Sequence, residues 1–595
     1  MDSDQLFRIR HSLSHVLAMA VLEVFPDAKL AIGPPIENGF YYDFDLPRSI
    51  QPDDLPDLEK RMLKIIAQDL QFTSAPRTIE EAQELLKAQP YKLELVKDLA
   101  EQGEKAVSFY TSGNFQDLCK GLHVGRTSEI PVGSFSLSHA AGAYWRGSEK
   151  NPMLQRIYGL AFESKVALEE YLHQQEEAKK RDHRLLGPQL GIFMHSEDVG
   201  AGLPLWMPNG ETIKYLLQEY MREKEQSLGY QYVSTPVIAH ETLYQRSGHA
   251  EFYKDDMYKF QDKEGTTFYL SPMNCPHHHM IYERMTQSYR DLPLKLAEGK
   301  GLYRNELSGT LTGLIRVRGA ITQNDSHIYV TPAQLKEEFT KVLELFKEVY
   351  AEVGVQGYWF RLSLPDRDTN PHKYAGDPAL WDYASDIIRE TLEEFGSPFV
   401  EAIGEAAFYG PKLDVQIKNV TGKEDSIATS QVDILVPQRM GLTYIDEQGQ
   451  EKTPLIIHRA ILGSYERFTA FLIEQTAGNF PFWLAPIQVA VLSVSDQFNQ
   501  AALELAAAFS KDGLRVSTDL TTESVGKKIR AASLQKIPAK IVIGSQELES
   551  KNKEGEWKLK VNWRTDLERL EDEKPQAIEN ILESMQTLVK DKARS

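Results

Sequence analysis

Residues 303–330 read YRNELSGTLTGLIRVRGAITQNDSHIYV, a stretch that sets Arg304, Arg316 and Arg318 beside Glu306, Gln323, Asp325 and His327. It reads as a strand pair, with SHIYV as one of its strand pieces. The planar donor fork of arginine suits phosphate oxygens, and a nearby glutamate accepts from an exocyclic amine such as that of adenine. Taken alone, an arginine-rich strand pair also fits a salt-bridged surface. A further arginine, Arg467, lies on the helix expected in LIIHRAILGSYERF. Two separated arginines flanking one nucleotide would form a phosphate clamp.

The rest of the chain sets the frame. Its 595 residues are too many for one core and imply roughly three or four domains. With 42% hydrophobic and 26% charged residues the composition is that of folded globular protein. No apolar run reaches the roughly 20 residues of a membrane span and the N-terminus has no apolar signal region, which points to a soluble cytoplasmic protein. Cys119 and Cys275 are the only cysteines, so disulfides do not hold the fold. A net charge of -19 argues against the whole surface being a nucleic-acid trap, though not against a local basic path.

Four blocks follow from the patterning. Residues 1–163 mix short strands, helices and Gly-rich turns. Residues 164–190 suit an exposed connecting helix, whose Lys179, Lys180, Arg181 and Arg184 either meet phosphates or form a solvated face. Residues 191–485 carry the arginine stretch. Residues 486–595 alternate strand and helix, as in a small α/β domain with a mixed sheet. The expected class is therefore α+β multidomain.

YVSTPVIA, YRNE…RVRG and HRAILGSYERF, in that order, resemble motifs 1, 2 and 3 of the class II aminoacyl-tRNA synthetases. SPMNCPHHH, TQNDSHIY, GEAAFYGPKLD and AGAYWRGSEKNPMLQRIYG are similar to the threonyl-tRNA synthetase family in particular. The resemblance spans essentially the whole chain, and no Walker-type loop competes as an ATP site. It implies an N-terminal editing domain (1–163), a linker helix (164–190), a catalytic core on an antiparallel sheet (191–485) and an α/β anticodon-binding domain (486–595).

Site roles come with that resemblance. Cys275, His327 and His458 map to the ligands of one Zn2+ per subunit, leaving a position for the amino nitrogen and hydroxyl of L-threonine. Valine is isosteric but lacks the second ligand atom, and a hydrophobic pocket alone separates such isosteres only about a hundredfold. Asp325 would accept from the threonine hydroxyl, with Gln323 and Tyr409 completing the pocket. Arg304 maps to the α-phosphate of ATP, Arg467 to its γ-phosphate and Glu306 to its adenine. Arg316, Lys412, Gln431, Met273 and Ser464 sit at further family positions around the substrates, and Mg2+ accompanies ATP. The implied partners are tRNA(Thr), ATP, L-threonine and a second subunit docked through motif 1.

Serine keeps both ligand atoms and lacks only a methyl, worth roughly 10–200-fold, so a hydrolytic correction site is expected. HSLSH and DLCKGLH supply His11, His15, Cys119 and His123. As a bare pattern, two histidines on one helix face plus Cys-x3-His read as structural zinc. The resemblance implies instead a metal-free pocket that clears seryl-tRNA, with Lys92 and Asp117 beside it and a lysine or histidine as base. In TTESVGKKIRAAS, Glu523, Lys527, Lys528 and Arg530 would touch anticodon bases or phosphates.

Several positions depart from the family pattern. The first histidine comes at position 11, implying absence of the ubiquitin-like N-terminal domain. RGAITQND is one residue longer than the frequent RGFTQDD, Asn324 replaces an acidic residue, RNEL and LTG replace RNEP and LHG, and DRDTNPHKYAGDP lengthens a loop. A regulatory paralogue would be expected to lose Arg304, Arg467 or a zinc ligand, and a metallohydrolase built on HSLSH lacks the Glu of His-Glu-x-x-His.

Overall fold

The computed structural model describes residues 3–285, 288–374, 376–554, 556–570 and 575–592. The chain separates into two compact units, Met1–Glu176 and Glu177–Ser595.

In the first unit the helix Ser3–Val24 buries Ile9, Leu13, Val16, Leu17 and Val21, the three-to-four spacing of one helix face. That face packs on a sheet whose strands run Lys29–Leu30, Gly39–Asp45, Met153–Ala161 and Phe135–Tyr144, with Pro35–Ile36 paired to the second of these. A separate antiparallel sheet joins Thr73–Thr78, Ala106–Ser112 and Phe115–Leu118. His11 and His15 lie on the buried side of the long helix.

The single connecting helix expected over 164–190 is two helices. The first, Lys165–Arg181, ends where Asp182 leaves helical dihedrals and accepts the Arg184 N–H, capping a new helix α1, His183–Gln189. This turn sends His183, Gly187 and Leu190 into the second unit's interior, so α1 is not a solvated spacer.

The second unit is organised by eight strands, numbered here in chain order: β1 Gln231–Tyr232, β2 Leu294–Leu302, β3 Ile321–Val330, β4 Trp359–Leu364, β5 Phe399–Ile403, β6 Lys412–Lys418, β7 Glu424–Asp433 and β8 Leu455–Ser464. They form one sheet in the order β1-β2-β3-β8-β7-β6-β4-β5, antiparallel except at its edge pairs β1–β2 and β4–β5. Helix α2, Pro208–Ser227, precedes β1; α3, Leu335–Val353, buries Phe339, Val342, Phe346 and Val349; and α4, Tyr465–Thr476, follows β8 directly. Ile457 and Ile461 of β8 pack in one core with α3, and Ile456 in another with Tyr282, Tyr329 and Val436, which is why LIIHRAIL in β8 is buried on both faces.

Two local irregularities shape the sheet where β3 begins and β8 ends. Between Gln323↔Ser464 and Asp325↔Ala460 the register of β3 on β8 shifts, so residues 461–463 stand opposite Asn324 alone. Gly463 takes φ +57° there, where a Cβ would lie 2.2 Å from the Ile427 carbonyl oxygen. The turn before β3 contains Ala320 at φ +52°, a left-handed position costing about 1 kcal/mol for a residue with a Cβ. From Ile321 onward β3 pairs evenly with β2, so the kink is confined to the turn.

Below the sheet, α2 is tied to β8 by a fully buried ion pair, Arg459 Nη1 to Glu225 Oε1 at 2.6 Å, with Asn324 Nδ2 donating to the same oxygen at 2.9 Å. The neutral Asn324 leaves one cation facing one anion, where a third charge would be costly.

The C-terminal portion holds a mixed sheet in the order Val516–Asp519, Val489–Ser493, Ala539–Ile543, Val561–Trp563, with only the last pair antiparallel. One expectation is corrected here. Lys528 is buried, and its Nζ donates to the carbonyls of Ser493 at 2.8 Å and Asp519 at 3.2 Å. It braces two strand ends and offers nothing to a nucleic acid.

Candidate functional site

The sheet register assembles the site. Residues on one strand that are two apart share a face, and β3, β8, β7 and β6 align His327 with His458, His458 with Gln431, and Gln431 with Lys412. The next row carries Asp325, Ala460, Thr429 and Asp414, and beyond the bulge Gln323 faces Ser464. Gln323, Lys412, Asp414, Thr429, Gln431, Ala460 and Ser464 of these rows line a cavity of about 330 Å³ walled by Arg304, Glu306, Arg316 and Arg467, whereas His327, His458 and Asp325 stand outside its lining.

Its electrostatics are those of an anion site. Arg304 donates through Nε to the Pro272 carbonyl at 3.1 Å. Arg467 donates to the carbonyls of Ile315 (Nε, 3.1 Å) and Ser426 (Nη1, 3.2 Å), while its backbone N–H is capped by Ser464 Oγ at 3.2 Å. Burial first, then the like charges of Arg304 and Arg316, lower the pKa of Arg467, so an entering anion relieves repulsion. Glu306 lies 3.4 Å from Arg316, and Lys412 Nζ contacts Asp414 at 3.0 Å. Arg318 does not join the cluster, because it is spent on the Glu306 carbonyl at 2.8 Å and on Ser308 Oγ at 2.9 Å. Met273 is half-buried and does not line the cavity.

Adjoining this cavity, donor atoms of Cys275, His327 and His458 lie within 4.8 Å of one another. Both imidazoles are oriented from behind. Asp433 is fully buried and has Oδ1 occupied by the N–H groups of Leu435 and Val436; its Oδ2 receives His458 Nε2–H at 3.1 Å. Glu298 lies 3.4 Å from His278 Nε2, and His278 Nδ1 lies 2.8 Å from His327 Nδ1. With Glu298 taking the His278 proton, His327 donates through Nδ1, and one lone pair remains on each of His327 Nε2 and His458 Nδ1. One thiol and two such imidazoles suit a zinc ion, and buried carboxylates behind the histidines are the usual support for it. Asp325 lies 3.9 Å from His327, and the Tyr409 ring stacks on His458 at 5.4 Å while its hydroxyl donates to Gln431.

The first unit brings its six residues together. Cys119 Sγ lies 3.2 Å from His11 Nε2 and 3.5 Å from His123 Nε2; Lys92 Nζ binds Asp117 at 2.7 Å, and Asp117 also accepts from Tyr42 at 2.6 Å. His15 lies 3.7 Å from Asp117. Gly121 makes room, since a Cβ there would stand 1.7 Å from the His11 ring. The donors of His11, His15, Cys119 and His123 also fall within 4.8 Å, so a metal is sterically possible here too.

Burial pushes the Cys119 thiol up to about 11 and His11 down to about 4, and lowers His15 and His123. The wall is uncharged at neutral pH, and Lys92–Asp117 is its ion pair. Acid stability should follow. The unfolded chain takes a proton on His11 from about pH 6.5 downward while the fold refuses it until about pH 4, so stability is full above pH 6.5 and is lost as pH falls through that window, by about 3 kcal/mol for His11. Urea unfolding of the full chain at pH 7.5 and 5 should show a smaller acid loss for His11→Asn than for the parent, and equal losses would refute this.

Asp433, Glu298, Asp414 and His249, the last 3.6 Å from Cys275 Sγ, were not singled out from the sequence. His278 sits inside the quoted SPMNCPHHH, whereas Asp433 follows no motif and only the fold reveals it. In the C-terminal portion Arg530 is exposed, and Glu523 and Lys527 form an exposed pair at 2.7 Å.

Parts of the chain match known protein families. The tRNA synthetase class II core domain (G, H, P, S and T) matches residues 258–476, the anticodon binding domain matches 488–582, and the threonyl and alanyl tRNA synthetase second additional domain matches 107–158. The threonine–tRNA ligase of Staphylococcus carnosus is 46% identical over 551 residues, covering 92% of this chain and 84% of its own. Threonine–tRNA ligase 1 of Bacillus subtilis is 46% identical over 545 residues, covering 91% and 84%. A Cryptosporidium parvum structure, described as the RNA binding domain of threonyl-tRNA synthetase, superposes with a TM-score of 0.62 at 33% identity over 69% of this chain and 98% of that one.

Proposed function

Since the chain belongs to the threonine–tRNA ligase family, we propose that the cavity on β3, β8, β7 and β6 activates threonine and that the histidine-lined pocket of the first unit removes serine errors. The enzyme joins L-threonine to tRNA(Thr) at the expense of ATP and edits mischarged seryl-tRNA. The approach of Cys275 to His327 and His458, which the register aligns, beside a cavity walled by three arginines carries the site assignment.

Arg304 and Arg467 hold the α- and γ-phosphates of ATP, Glu306 takes the adenine amine, and Arg316 closes over the nucleotide; Mg2+ brought with ATP would share in neutralising phosphate charge. Lys412 and Gln431 line the same wall, and Ser464 fixes Arg467 from its helix start. Cys275, His327 and His458 would hold one Zn2+, which supplies an open Lewis-acid position for polar substrate atoms. Asp325, beside His327, accepts the threonine hydroxyl, with Gln323 from the cavity lining and Tyr409, stacked on His458, as its neighbours. A site that must satisfy a buried carboxylate rejects valine by far more than shape allows. Positioning of the attacking carboxylate against the α-phosphate does the remaining work.

A homodimer through motif 1 is supported by the short edge strand β1 and by exposed Tyr215, Leu228 and Val237 around it. Among the described residues no helix is long and apolar enough to cross a membrane, which agrees with a cytoplasmic site of action. Glu523 and Arg530 remain the proposed anticodon contacts.

One assay tests the reading: threonine-dependent charging of purified tRNA, with serine and valine as competitors and bound metal quantified. Threonylation with about one zinc per chain is expected. No threonylation defeats the assignment, and two zinc ions per chain would overturn the metal-free reading of the first pocket.

A further inference from the structure

Asp182, His183 and Glu474 of the second unit stand close enough to share a metal ion, but their hydrogen bonds show another use. His183 is fully buried at the first position of α1. Its Nδ1 lies 2.6 Å from Glu474 Oε1, and the Leu314 backbone N–H donates to its Nε2 at 3.2 Å. A peptide N–H can only donate, so Nε2 is the lone pair and Nδ1 carries the proton given to Glu474. Asp182 stands 3.8 Å from Nδ1 and is engaged in capping the Arg184 N–H at 2.8 Å. Neither ring nitrogen is left for a metal.

The loop is shaped to reach this imidazole. Gly313 takes φ +47°, and a Cβ on it would stand 2.1 Å from His183 Nε2 and 2.9 Å from Arg184 Cγ. On the far side, Glu474 lies two helical turns beyond Arg467 on α4, so both project from one face. Arg467 holds the Ile315 carbonyl directly, and Glu474 reaches the Leu314 N–H through His183. Two consecutive backbone units, immediately before Arg316, are thereby moored to one helix. Of the two moorings, Arg467 also faces the nucleotide cavity, whereas His183 does not line it.

We infer that His183 is a positioning residue for ATP: the relay Glu474–His183–Leu314 fixes the loop that presents Ile315 and Arg316 to the nucleotide. The inference rests on reading the cavity as the ATP site. Binding groups perform only as well as the shell that holds them, and a displacement of about 1 Å is enough to cost one to two orders of magnitude.

The test is threonine-dependent ATP–pyrophosphate exchange by the full chain. His183→Phe fills the ring's space without either hydrogen bond and should raise KM for ATP about tenfold, with KM for threonine within about twofold of the parent. His183→Gln, whose amide oxygen can accept from Leu314, should keep KM for ATP within about threefold. Gly313→Ala, which leaves His183 in place and intrudes from the loop side, should reproduce the Phe effect. An unchanged ATP KM in both His183→Phe and Gly313→Ala, or a Gln variant as impaired as Phe, overturns the relay. Absence of exchange in the parent protein would instead remove the ATP reading on which the relay stands.

Discussion

Arg467→Ala should lower kcat/KM for threonine-dependent ATP–pyrophosphate exchange by about a thousandfold, roughly 4 kcal/mol. The guanidinium is held before any substrate arrives, by the Ile315 and Ser426 carbonyls and by the Ser464 cap on its own backbone. Nη2 is left for a phosphate oxygen. Its pKa is depressed by burial and by Arg304 and Arg316, so the empty site is electrostatically uncomfortable and the charge developing on the transferring phosphates is what it fits. Alanine removes both the donor fork and the mooring of Ile315. Lysine keeps the charge but has no planar fork, so Arg467→Lys should recover at most part of the loss. A fall of less than about tenfold in Arg467→Ala would mean that this arginine does not meet the transition state.

What could be read from the sequence follows from how far apart the interacting residues lie. Arg304, Glu306 and Arg316 share the connection between β2 and β3, which is a loop and not the strand pair expected, and Gln323, Asp325 and His327 alternate along β3, so period-two reading already puts the latter three on one face. Joining His327 to His458, Gln431 and Lys412 depends on register across four strands, which no local pattern encodes; the family resemblance supplied those positions. Arg318 and Lys528 were grouped with ligand-facing cations on residue type. Side-chain direction decided otherwise, toward the Glu306 carbonyl in one case and two strand-end carbonyls in the other. The break at Asp182 is hidden in the sequence because the charged run up to Leu186, free of Gly and Pro, looks continuous, although the aspartate is itself a capping residue. His183 carried no signal at all: its partners, Leu314 and Glu474, are distant and one of them is a backbone amide.

Lys92→Met should abolish seryl-tRNA hydrolysis, by about a hundredfold or more, while threonine-dependent exchange, which belongs to the other compact unit, stays near its parent value. Three imidazoles with pKa lowered by burial and a thiol pushed up to about 11 make a wall of weak bases and a closed nucleophile. None of them supplies the charge that an ester carbonyl needs as a tetrahedral oxyanion forms. Lys92 does, and it is the cation of this buried wall. Asp117 holds it at 2.7 Å and the Leu118 carbonyl at 3.4 Å, leaving one of its three N–H bonds for a substrate oxygen. On the proposed editing reading the lysine would stabilise the oxyanion and a neutral imidazole, His11 beside Cys119, would orient the water. The same substitution strands Asp117 in a buried site, with Tyr42 as its remaining close donor, at a cost of about 3–5 kcal/mol in the first unit. The double change Lys92→Met with Asp117→Asn separates the two effects: it removes the stranded charge and recovers stability but not hydrolysis. Recovery of deacylation in that double variant would make the lysine a structural counter-ion, and Cys119→Ala with unchanged deacylation would likewise remove the thiol from the pocket's function.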